Sequence, residues 1–77
     1  MKELNYYLSL PYSLKIYLVT DDNETYYKIT MPQLPGVMAF GETLKEAVFD
    51  LTGAKKIWFK KCLNDGINIP VPSDTDN

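Results

Sequence analysis

The sequence predicts a small α+β fold, a two-layer β-β-β-α-β module in which one long helix covers one face of an antiparallel sheet. Three observations predict it. Residues 14–20, LKIYLVT, alternate strictly, with Leu14, Ile16 and Leu18 on one side and Lys15, Tyr17 and Val19 on the other. A polar run, Asp21-Asp22-Asn23-Glu24, leads into a second aromatic and β-branched stretch from Tyr26 to Met31. Further on, Thr43-Leu44-Lys45-Glu46 carries the capping-box pattern that opens a helix.

Each element follows in order. The opening, Met1 to Tyr12, is aromatic, and Tyr6, Leu8 and Leu10 alternate with Tyr7 and Ser9. This reads as a short strand, confined to a sheet edge because Pro11 denies the ladder a donor. Residues 14–20 and 26–31 form a hairpin with a loop of four or five residues. Pro32-Gln33-Leu34-Pro35-Gly36 stops the ladder. Pro32 and Pro35 fix φ, and Gly36 permits a positive φ before a short third strand, Val37 to Phe40, which ends at Gly41.

The helix is expected from Leu44 to about Asn64. The Thr43 hydroxyl accepts from the Glu46 amide, and the Glu46 carboxylate returns to the Thr43 amide. Leu44, Ala47, Val48, Leu51, Lys55, Trp58 and Cys62 form one stripe at helical spacing. Lys55, Lys56, Lys60 and Lys61 occupy the second half, where the helix dipole favours cations. Gly66 is placed as a left-handed C-cap. Ile67-Asn68-Ile69 is a final extended segment, with Pro70 and Pro72 flanking Val71. Residues 1–72 are read as one domain and 73–77 as a frayed polar tail, with no DNA-binding domain in this chain.

Composition narrows the function. With 77 residues the core is small, and association into a dimer or tetramer would add stability. Eight Lys and no Arg against ten acidic residues give a net charge of −2. Bidentate base and phosphate readers favour Arg, so no direct nucleic-acid binding is expected. A mildly acidic chain suits a basic protein partner. The absence of His removes the commonest general base and metal ligand. One Cys excludes an intrachain disulfide and a cysteine zinc site. No signal segment opens the chain and no apolar run reaches membrane-spanning length, so a cytoplasmic location without membrane contact is expected.

Asp21, Asp22 and Glu24 cluster in one turn, which reads as solvated rather than as a cation site, because a hairpin tip offers few convergent ligands. Cys62 lies on the apolar stripe and reads as a small buried hydrophobe, with no His to activate it. The lysine group reads as a solvated helix end. No enzyme, metal or cofactor is expected. The candidate partner-binding residues are Tyr12, Tyr17 and Tyr26, because Tyr buries area while keeping a polar tip, and Phe49, Gly53 and Ile57, which line up opposite the stripe. For each the alternative is ordinary packing.

Taken together, several segments resemble the HicB antitoxin family, in a short form of its N-terminal partial ribonuclease-H-like domain. They are Tyr6-Tyr7-Leu8-Ser9-Leu10-Pro11-Tyr12, Met31-Pro32-Gln33-Leu34-Pro35-Gly36, Gly41-Glu42-Thr43-Leu44-Lys45-Glu46-Ala47, and the helix end from Lys55 to Trp58 with the Asp65-Gly66-Ile67-Asn68-Ile69-Pro70-Val71-Pro72 tail. Val37, Gln33 and Gly53 depart from residues common in that family. Pro32, Pro35, Gly36, Gly41, Thr43, Glu46, Trp58, Gly66 and Pro70 are the residues expected to be structural. The resemblance implies a non-catalytic antitoxin that binds a small basic HicA-like toxin and blocks its cleavage of mRNA. The other reading is an orphan homo-oligomeric module of the same fold, structural or regulatory, with no toxin.

Overall fold

The computed structural model describes residues 3–72. It contains α1 (Leu4–Leu8), β1 (Lys15–Asp21), β2 (Glu24–Thr30), β3 (Met38–Gly41) and α2 (Leu44–Asp65). The strands form one antiparallel sheet in the order β1-β2-β3. The α+β prediction and the order of the three strands and long helix hold.

The hairpin is tighter than expected. Asp21 pairs directly with Glu24, leaving Asp22 and Asn23 as a two-residue turn. Both have positive φ, 48° and 67°. This is the geometry that matches the right-handed twist of the flanking strands, and Asp and Asn tolerate it better than other residues with a Cβ. The acidic run is therefore the turn chemistry itself.

Register separates the two faces of the sheet. Ile16, Ile29 and Ala39 lie in one row, and Leu18, Tyr27 and Gly41 in the next. Ile29 and Ala39 are fully buried, so this is the helix side. The opposite face carries Tyr17, Lys28 and Phe40 in one row, with Val19 and Tyr26 on one side of it and Thr30 and Met38 on the other.

α2 lies against β3, β2 and α1, and stays clear of β1. The helix therefore covers only part of its face. Gly41 explains how close it comes to β3. A Cβ there would run into the backbone of Glu46 and Ala47 in the first turn of α2. The helix begins where predicted, with Thr43 Oγ1 accepting from Glu46 N at 3.1 Å. The return bond differs, because Glu46 Oε1 accepts from the amide of Glu42, not of Thr43. The helix ends at Gly66, φ 70°, and the Ile67 amide reaches back to the Cys62 carbonyl at 2.9 Å. The lysines stop short of the last turn, which holds no basic residue. The dipole argument thus reaches them only weakly, since that effect fades within a turn.

Four further expectations are corrected. The opening segment is helical, not a strand: Leu4, Tyr7 and Leu8 turn towards the core, as residues three and four apart do on a helix. The final segment, 67–71, joins no strand. Pro70 within it and Pro72 after it remove two donors, and the stretch docks instead through Ile69 and Pro72. Gly36 does not have a positive φ. Its lack of a side chain makes room for the indole of Trp58, whose Nε1 lies 2.8 Å from where a Cβ would stand. Finally, the buried stripe of α2 is Ala47, Leu51, Phe59 and Cys62, while Leu44 and Val48 are exposed. The residues of the tail, 73–77, lie outside those described.

Phe59 is the centre of the core. Its ring meets Tyr7 at 5.6 Å, Trp58 at 5.8 Å and Tyr12 at 5.9 Å, centroid to centroid. The Pro-Gln-Leu-Pro loop folds in successive tight turns and adds to the same core. Leu34 N donates to Met31 O and Val37 N to Leu34 O, both at 2.9 Å, and all three side chains are buried. Burial of side chains this size contributes about 1.5–3 kcal/mol each before chain entropy is counted.

Candidate functional site

The residues singled out from sequence do not share one surface. Tyr12 is a core residue, only 9 % exposed, with its hydroxyl donating to the Pro70 carbonyl. That withdraws it from any partner surface. Tyr17 and Tyr26 stand on the outer sheet face. Phe49, Gly53 and Ile57 stand on the outer face of α2, on the other side of the molecule. Phe49 is 82 % and Ile57 71 % exposed, and no atom lies within 4 Å of a Cβ built on Gly53.

The outer sheet face carries more of the exposed large side chains. Phe40 and Met38, which the sequence reading did not single out, join Tyr17 and Tyr26 there, all at least partly accessible. The Tyr26 and Phe40 rings lie 6.1 Å apart. Lys15 and Lys28 lie within this face, and the carboxylates of Asp21, Asp22 and Glu24 crowd the hairpin tip at one end. The signal for Phe40 and Met38 was their alternation with buried Ala39, which places them on the opposite side of the strand.

A third exposed area lies on the helix side of β1. Ile16 and Leu18 point towards the layer that α2 occupies, but the helix does not reach them, and Leu18 is 61 % exposed. The cause lies across the sheet. Asp50 of α2 accepts from the Phe40 amide of β3 through Oδ2 at 3.1 Å, which holds the helix over that side. Val48 precedes Asp50 by two positions, about 200° around the helix, so it points to the opposite flank. Val48 and Leu44 are exposed as well.

Among the described residues no group of three or more His, Cys, Asp or Glu side chains comes together as a metal site. Cys62 is buried, and burial pushes its thiol pKa up, with Asp65 adding to the shift and Lys61 opposing it. Such a thiol is a poor nucleophile. Among the described residues no helix is long and apolar enough to cross a membrane.

The family profile described as "HicB_like antitoxin of bacterial toxin-antitoxin system" matches residues 14–77. The chain belongs to the HicB-like antitoxin family. The match spans all three strands, the Pro-Gln-Leu-Pro loop and α2, so the resemblance drawn from those segments is a membership. A HicB-like antitoxin works within a toxin-antitoxin system, so a toxin is its implied partner. No match was found among the curated proteins or among the solved structures.

Proposed function

We propose that this HicB-like chain neutralises a small, basic, HicA-like mRNA-cleaving toxin by direct contact in the cytoplasm, and that the outer sheet face is where the toxin docks. The observation that carries the reading is the uncovered row of Tyr17, Lys28 and Phe40 with Tyr26 and Met38 beside it. Aromatic residues and Met are enriched in the cores of protein interfaces, where large side chains exclude water from the contact. The carboxylates at the hairpin tip add charge complementary to a basic partner and orient its approach. The chain itself contributes no catalysis. It acts by covering the toxin's active surface.

Co-expression with the adjacent reading frame tests this. The expected result is a stoichiometric complex and restored growth of cells making the toxin. Tyr17→Ala together with Phe40→Asp should abolish both while the variant stays folded. A folded variant that still binds and protects would remove the outer sheet face from the reading. A toxin-free neighbourhood would replace it with the orphan homo-oligomeric module.

A further inference from the structure

The two edges of this sheet are treated differently. In a two-residue hairpin the pair flanking the turn exchanges both backbone bonds, and bonded pairs then alternate along the strands. Counting from Asp21 and Glu24, the residues of β1 whose backbone groups face β2 are Asp21, Val19, Tyr17 and Lys15. Those of Ile16, Leu18 and Thr20 face outwards. Carried across β2, the same alternation turns the Phe40 amide to the outer edge of β3. That is where it meets Asp50. The β3 edge is therefore blocked by a carboxylate of α2. At the β1 edge the outward groups of Ile16, Leu18 and Thr20 have no hydrogen bond among the described residues.

An edge of this kind is a template for another strand. The β1 strand is seven residues long, apolar on both faces, and contains no Pro or Gly. It is also complementary to itself. In an antiparallel pairing about a two-fold axis at Leu18, the outward groups of Leu18 meet their own copies, and those of Ile16 meet Thr20. Lys15 then falls opposite Asp21, twice by symmetry, at positions where directly opposed side chains are closest. Tyr17 falls opposite Val19. Moving the axis by one residue keeps the outward groups opposed but shortens the ladder and breaks the Lys15–Asp21 match.

We propose that β1 pairs antiparallel with β1 of a second copy of this chain, in the register centred on Leu18, joining two three-stranded sheets into one continuous sheet. The interface is isologous, each copy presenting the same strand. It places both helices on one side, with Ile16 and Leu18 of the two copies meeting in the space between them. It leaves Tyr17 and Tyr26 on the opposite face, and it does not depend on the toxin reading.

The test is sedimentation velocity of the full chain over a concentration series, with hydrogen exchange resolved to single amides. The expected species is a dimer that dissociates on dilution. The amides of Ile16, Leu18 and Thr20 are protected in the dimer and exchange freely in the monomer. Lys15→Asp or Asp21→Lys alone weakens the dimer about tenfold, because each places like charges at both symmetric positions, and the double swap restores it. Leu18→Pro removes an outward donor and abolishes the dimer. If that variant fails to fold, the charge swaps and the exchange pattern decide alone. A monomer at every concentration overturns the proposal. So does a dimer indifferent to the single swaps, a double swap no better than either, or free exchange at Ile16, Leu18 and Thr20 within the dimer.

Discussion

The carboxylate of Asp50 accepts the backbone amide of Phe40 at 3.1 Å, tying α2 to the outer edge of β3. Removing it with Asp50→Ala is expected to cost about 1 kcal/mol, the usual net worth of one hydrogen bond. The more specific readout is hydrogen exchange, where the Phe40 amide should lose protection ahead of the Ile29 and Ala39 amides. Unchanged exchange at Phe40 would mean the bond does not persist in solution.

Gly41 should tolerate no side chain. A Cβ there would meet the Glu46 carbonyl carbon at 2.8 Å and the Ala47 Cα at 2.9 Å, both of them backbone. Backbone in the first turn of a capped helix cannot move aside cheaply. Gly41→Ala is expected to destabilise by about 3 kcal/mol, the upper part of the range for overpacking. Gly53→Ala, with nothing nearby, should stabilise slightly, because Ala is the better helix former. Urea denaturation of the two variants measures the contrast.

Phe59 and Phe49 lie ten positions apart on the same helix, one fully buried and one almost fully exposed. Phe59→Ala should cost about 3–5 kcal/mol and leave little folded protein. Phe49→Ala should change stability by less than about 0.5 kcal/mol. Thermal melts separate them directly.

Tyr12 gives a pH prediction. Desolvation, with smaller contributions from Tyr7 and Tyr6, raises its pKa above the usual tyrosine value. A group whose folded pKa is raised favours the native state while protonated. Its contribution is therefore complete below the unfolded value of about 10 and is lost as pH rises through the folded one. Tyr12→Phe removes both the titration and the bond to Pro70. The stability difference between wild type and this variant should be constant from pH 6 to about pH 9 and move against the wild type above about pH 10. A difference that stays flat through that range would show that Tyr12 ionises as it does in the unfolded chain.

The legible parts of the fold were those specified by local chemistry. Thr43 and Glu46 mark the helix start and Gly66 its end, because capping depends on residues within one turn of each other. The strands were legible from alternation. What the sequence did not reveal depends on contacts between distant segments. Tyr6, Leu8 and Leu10 alternate like a strand, but Leu4, Tyr7 and Leu8 also fit one face of a helix, and the core decides between them. Phe59 was missed because its ring contacts come from Tyr7 and Tyr12, in segments far off in the sequence. Conversely, Val48 and Leu44 fit the apolar stripe but are exposed, on a helix that does not reach β1. Phe49, Gly53 and Ile57 were placed by helical spacing and do stand on the exposed face of α2, whereas the tyrosines were chosen by type, and residue type does not say which side of a sheet faces water.

The Tyr12 hydroxyl meets the Pro70 carbonyl across 58 positions of sequence. A contact that distant closes a long loop at an entropic cost, whereas the β1–β2 hairpin and α2 are closed by neighbours, so local elements are expected to form first. The order of assembly follows. The hairpin and helix come first, and the residues before β1 and after α2 arrive last, as a pair fastened to each other. The same pair should be the first to come away, so that opening exposes the aromatic cluster around Phe59 before the sheet loses a single strand.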